Sequence, residues 1–200
     1  RDLKVLIKDT DAHMFIDVLK NKREVNPGFF FDYQVDEDNR LKNLFWSDSL
    51  SRRNYAIFGH ILSFDMTHKS NWYSMVFAPF TGLNHHIQLI CFGAGLLRDE
   101  KVESFQWLFN SFLISMDSQM TKTVITDQDP TIRQAVVDVF ETLIHRFCMW
   151  HIKRMLPEKV GHTLNGCENF IECIKGCVWA SDSPDEFDES WGEMLEEFDL

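Results

Sequence analysis

Five short apolar runs rich in aromatic and β-branched residues fill the first half of the chain, and helical and extended patterns alternate after them. The runs are "NPGFFFDYQV" (26–35), "LKNLFWS" (41–47), "YAIFGHILSFD" (55–65), "MVFAPFTGLNHH" (75–86) and "IQLICFGAGLL" (87–97). Each has strand length, and turn residues break them: Asn26-Pro27-Gly28, then "DEDNR", which makes the first two a hairpin. In "SFQWLFNSFLISM" (104–116), Phe105, Leu108, Phe109, Phe112 and Met116 make one wide apolar stripe, the mark of a helix against a core. "KTVITD" (122–127) is again a strand and "DPTIRQAVVDVF" (129–140) a helix. "HRFCMWHI" (145–152) is a short apolar element that leads into a further helix.

Strands followed by alternating helix and strand predict an α/β fold, a mixed sheet with flanking helices. The middle part, three strands and then helix–strand alternation, has the order of a ribonuclease-H-like fold. Before the sheet, Ala12, Phe15, Ile16 and Leu19 recur at helical spacing, with Thr10 or Asp11 as a cap. After it, residues 167–200 read as helical, restarting at Ser183 (N-cap), Pro184 (N1) and Glu186 (N3). With 44% hydrophobic and 14% aromatic residues, the chain has ample material for a core. It starts abruptly and without Met, which reads as a fragment.

The net charge of −11 is unevenly placed: residues 182–200 hold nine acids and no Lys or Arg, so the rest carries −2. Bulk charge therefore gives no support for a DNA-binding domain, although a local basic face is compatible with it. Arg52, Arg53, Lys69, Arg133, Arg146, Lys153 and Arg154 are its candidates, and scattered surface charge explains them equally. No apolar run reaches the ~18 residues of a membrane helix. Five cysteines, an odd number, fit reduced thiols of the cytosol or nucleus.

Two acids close the run "TVITDQD". Asp129 precedes Pro130, and Asp at N-cap with Pro at N1 is a helix start. Asp127 has no such explanation. It ends a strand, as Asp65 does at the end of "ILSFD". If those strands are neighbours, the two carboxylates repel unless a cation lies between them, and Mg²⁺ with its oxygen ligands suits the place. Two unrelated acids facing solvent are the alternative. Cys148 and His151 form a C-x-x-H, a legitimate zinc half-site; a buried thiol and a packed imidazole fit the same residues.

The stretches "NLFWSDSLSRRNYAIFGHILSFDMTHKSN", "FAPFTGLNHHIQLICFGAGLL", "TVITDQDPTIRQAV" and "HRFCMWHI" together resemble the transposase domain of the plant far-red-impaired-response family. Those proteins look like domesticated Mutator-like element transposases, and the likeness runs from about residue 10 to the end. It implies a division into an N-terminal linker helix (1–25), a ribonuclease-H-like core (26–156) and the beginning of a helical insertion with an acidic tail (157–200). It implies catalytic, metal-binding acids at Asp65 and Asp127, taking Mg²⁺ or Mn²⁺ in an active enzyme. The third acid of the triad, a Glu, is expected beyond Leu200, since Glu189 and Glu193 fall at the start of the insertion. Cys148 and His151 match the family's C-x-x-H, and zinc is expected in the full-length protein. The family usually has Thr after the first Asp, where this chain has Met66. The expected function is that of a nuclear, DNA-binding transcription regulator with vestigial strand transfer, able to associate with itself or related proteins. The alternative is part of an active Mutator-like transposase that cleaves and transfers DNA strands with a metal.

Overall fold

The computed structural model describes residues 3–66, 75–140, 144–155 and 168–199, with side chains of the first helix from Met14 onward. The chain forms two compact units, Arg1–Cys148 and Met149–Leu200.

The first unit is built on a seven-stranded mixed sheet: β1 (Phe30–Val35), β2 (Leu41–Ser47), β3 (Ile61–Phe64), β4 (Val76–Leu83), β5 (Leu89–Leu97), β6 (Thr123–Thr126) and β7 (Ile144–Phe147). Their order is β1-β2-β5-β4-β3-β6-β7. Neighbours from β1 to β3 are antiparallel, while β3–β6 and β6–β7 are parallel. An antiparallel meander thus continues into two parallel strands on the far side of β3, the ribonuclease-H-like order, with β1 and β2 added at the opposite edge. The helices are α1 (Leu3–Val25), α2 (Ser49–Phe58), α3 (Val102–Ser115) and α4 (Pro130–Val139).

Alternation along the strands decides which face is core. Leu62 and Phe64 of β3, Phe80 of β4 and Val124 of β6 point to one side, where they meet Phe105, Phe109 and Phe112 of α3 and Ile132 and Val136 of α4. Phe80 stacks on Phe112 with ring centroids 4.3 Å apart, and Phe64 meets Phe109 edge-on at 4.9 Å. β5 leaves room for this layer, because a Cβ on Gly95 would stand 2.4 Å from Leu108 Cδ1. On the opposite face Leu19 packs with Phe29, Phe31 and Leu44.

Sequence and structure part in three places. The run 55–65 is not one strand: Tyr55–Phe58 ends α2, Gly59 caps it, and β3 begins at Ile61. Asp48 starts that helix, its side chain accepting from Ser51 N at 2.7 Å, and this local cap outweighs the strand propensity of the apolar run. Helix α1 begins at Leu3, so Thr10 and Asp11 lie inside it rather than at its cap. "HRFCMWHI" is two elements, β7 and a helix, α5, over residues 149–155.

Tyr55 buries its ring against Phe92 and Phe112 and donates its hydroxyl to Gln119 O at 3.0 Å. Burial pushes that hydroxyl up to about 12 from its ordinary 10. The folded protein therefore holds a proton that the unfolded chain loses first. The stabilisation is complete below pH 10 and drains away as pH rises to about 12. Alkaline denaturation followed by circular dichroism should show this loss, and Tyr55→Phe should flatten it.

The β4–β5 turn folds around Asn84, whose Oδ1 accepts from His86 N at 2.9 Å and Gln88 N at 3.0 Å. Ile87 there has φ +58° and is 80% exposed. A β-branched residue in the left-handed region is strained and here buries little in return. Ile87→Asn should stabilise the protein by about 1 kcal/mol, read as a higher midpoint in urea.

The second unit holds α5, α6 (Glu168–Ala180) and α7 (Pro184–Glu197). Phe170, Ile174, Cys177 and Met194 form its core. Ser183 caps α7 as expected, accepting from Glu186 N at 3.3 Å, and Glu186 answers by accepting from Asp182 N at 2.8 Å. Among the described residues no helix is long and apolar enough to cross a membrane.

Candidate metal centre at the strand ends

Strands β3 and β6 are parallel neighbours, paired as Ile61–Thr123, Leu62–Val124 and Ser63–Ile125. Two residues past the last of these pairs stand Asp65 and Asp127. Asp65 follows directly on Phe64, the last residue of β3, and Asp127 directly on Thr126, the last residue of β6. Adjacent strands run about 4.8 Å apart, so the two acids leave neighbouring strand ends side by side. The carboxyl edge of a parallel pair is where open α/β sheets hold ligands.

Asp129, by contrast, is spent on structure. Its Oδ1 accepts from Thr131 N at 2.7 Å and Ile132 N at 3.0 Å, capping α4 with Pro130 in the first turn. Its own N–H points to Asp127 Oδ1 at 3.4 Å. Asp65 is exposed and accepts from Met66 N at 2.7 Å, while Asp127 is half-buried. The bond at Met66 is made by the backbone, so the departure from Thr leaves it in place. The Met66 side chain instead packs against the main core.

A polar group lies just behind Asp127. The Thr126 hydroxyl, fully buried, donates to Asp127 O at 2.7 Å and lies 2.8 Å from His145 Nε2. Thr126 O accepts from Cys148 N at 2.6 Å. Burial, and then the nearby Arg133 guanidinium, hold the His145 imidazole below its ordinary range. Sequence reasoning missed the Thr126–His145 pair. Its signal was the alternation of "IHRF" against "TVIT", which sets His145 beside Val124 on the core face.

Cys148 follows β7, half-buried, and His151 lies half-buried in α5. Among the described residues no group of three or more His, Cys, Asp or Glu is placed to hold a metal. The expected basic rim divides. Arg52 is taken up structurally: its guanidinium bonds Ser115 O and Gly28 O, and pairs with Asp117 at 3.0 Å. Lys153 and Arg154 lie over the rings of Trp179 and Trp150. Arg53, Arg133 and Arg146 are exposed, and Lys69 falls outside the described residues.

Two adjacent carboxylates fit a hard divalent cation, which is content with one or two of them and completes its shell with water and phosphate oxygens. Residues 61–155, which contain both aspartates, match the MULE transposase domain. The catalytic core domain of BIV integrase is a structural neighbour with a TM-score of 0.32 and 8% identity, covering 68% of this chain and 81% of that one. The sheet order of the first unit is that of a ribonuclease-H-like fold, and residues 61–155 are similar to a transposase domain.

The kinship is narrower than the class. The chain is 36% identical to Protein FAR1-RELATED SEQUENCE 5 of Arabidopsis thaliana, covering 95% of this chain and 24% of that protein. It is 34% identical to Protein FAR-RED IMPAIRED RESPONSE 1 of the same plant, covering 97% and 24%. It is thus similar to these far-red-impaired-response proteins along nearly its whole length, and it spans about a quarter of the length of these curated relatives.

Proposed function

We propose that this chain is the transposase-derived core of a nuclear, DNA-binding transcription regulator, in which the sheet serves as a scaffold and strand transfer is vestigial. The observation that carries this reading is the similarity to the far-red-impaired-response proteins over 95–97% of the chain. A body of near-neutral charge agrees with a scaffold that leaves much of the DNA contact to other parts of a longer protein. The protein associates with itself or with related proteins, which co-purification would detect. Zinc, if held, engages Cys148 and His151 in the full-length protein, where metal content in their Ala variants would report it.

The test uses the full-length protein. It should accumulate in the nucleus, shift DNA in a mobility assay, and cleave plasmid DNA with Mg²⁺ or Mn²⁺ no faster than its Asp65→Asn variant. Cleavage above background that Asp65→Asn removes would overturn the reading in favour of an active Mutator-like transposase. That second reading has its own support in the side-by-side Asp65 and Asp127. Two divalent ions bound there would activate a nucleophile and stabilise the leaving oxygen of a phosphodiester. The chain's part would be to fix the two carboxylates at neighbouring strand ends.

A further inference from the structure

A threonine wholly inside an apolar core needs a reason, because valine has the same shape and no hydroxyl to satisfy. Thr126 is 0% exposed and shares its strand face with Val124. Its hydroxyl has one proton and two neighbours: Asp127 O at 2.7 Å and His145 Nε2 at 2.8 Å. A carbonyl oxygen only accepts, so the hydroxyl proton belongs to the bond with Asp127 O. His145 must then donate from Nε2–H, and the order of donation runs His145 to Thr126 to Asp127. That order also fixes the imidazole tautomer.

The effect converges on one residue. Asp127 is held at its carbonyl by Thr126, and its Oδ1 receives the Asp129 N–H at 3.4 Å. Thr126 itself is pinned to β7 through Cys148 N at 2.6 Å. Backbone and one carboxylate oxygen of Asp127 are thus both oriented before any ligand arrives. Outer contacts of this kind commonly tune metal affinity about 10- to 100-fold when removed.

We propose that Thr126 and His145 are positioning residues that orient the Asp127 carboxylate for a divalent cation shared with Asp65. The inference rests on the reading of Asp65 and Asp127 as a cation pair. Neither residue touches the ion: His145 acts through Thr126, and Thr126 through the Asp127 backbone.

The experiment titrates Mn²⁺ into the 200-residue chain, with free ion followed by electron paramagnetic resonance and folding checked by circular dichroism. Thr126→Val should weaken Mn²⁺ binding about 10-fold in protein that remains folded. Thr126→Ser keeps the hydroxyl and should bind close to wild type. His145→Gln keeps an N–H donor and should retain most of the affinity, whereas His145→Phe should lose it as Thr126→Val does. A staple between β6 and β7 with no positioning role would lower the melting temperature of Thr126→Val and leave its Mn²⁺ affinity intact, which overturns the proposal. Equal loss in Thr126→Ser and Thr126→Val overturns it as well. Failure of the underlying pair looks different: wild type then binds no Mn²⁺, or Asp127→Asn binds it unchanged, and both ideas fall together.

Discussion

Phe112→Ala is expected to lower the free energy of unfolding by about 4 kcal/mol. Phe112 is wholly buried and sits where α3 meets both α2 and the sheet. Its ring stacks on Phe80 of β4 at 4.3 Å and meets Tyr55 of α2 edge-on at 5.2 Å and Phe45 of β2 at 6.2 Å. Truncation removes the transfer free energy of the ring and these aromatic contacts, each worth about 0.5–1.5 kcal/mol beyond area alone. The hole it leaves is walled by other rigid rings and collapses poorly. In a chain of this size the loss corresponds to a fall in melting temperature of about 8–16 °C. Ile114→Ala is the control, since Ile114 lies on the same helix but is 60% exposed; it should stay within about 0.5 kcal/mol of wild type. Similar losses in the two variants would mean that α3 does not use the Phe105–Phe109–Phe112 stripe as its core face.

That stripe was legible in the sequence because helical spacing of large apolar residues has few other meanings. So was the Asp129 cap, where Asp before Pro leaves little choice of backbone. Helix α2 was not legible, and the reason is a competition. "NYAIFGHILSFD" has the content of a long strand, while the signals that divide it, Asp48 before and Gly59 within, are single residues whose force is local. Asp127 stood out by elimination once Asp129 was assigned to its cap. That its strand lies beside the strand of Asp65 is seen only in the β3–β6 register, which no local pattern encodes. Thr126 was hidden more deeply, since threonine suits a strand as well as valine does and only burial reveals a hydroxyl at work. Its link to His145 crosses from β6 to β7 and becomes visible only when those strands pair.

Mn²⁺ is expected to raise the melting temperature of the wild-type chain, and Asp127→Asn to abolish the rise. The two aspartates follow directly on the paired parallel strands β3 and β6, and two carboxylates brought together there would repel unless a cation lay between them. A ligand that binds only the folded state stabilises it by about 2.7 kcal/mol at a hundred times its dissociation constant. In a protein of 200 residues this is a shift of about 5–10 °C. Asparagine keeps the shape of Asp127 but removes its charge and one acceptor oxygen, and Mg²⁺-like ions depend on both. The informative control is Asp129→Asn, two residues away. Asparagine caps helices as well as aspartate does, so α4 should survive and the Mn²⁺ response with it. Chelator added to the wild type should return the melting temperature to its metal-free value. A response that survives in Asp127→Asn would remove Asp127 from the site. One lost equally in Asp129→Asn would mean that the acids of this loop act as a diffuse negative patch, and that the register of β3 and β6 has no part in holding the ion.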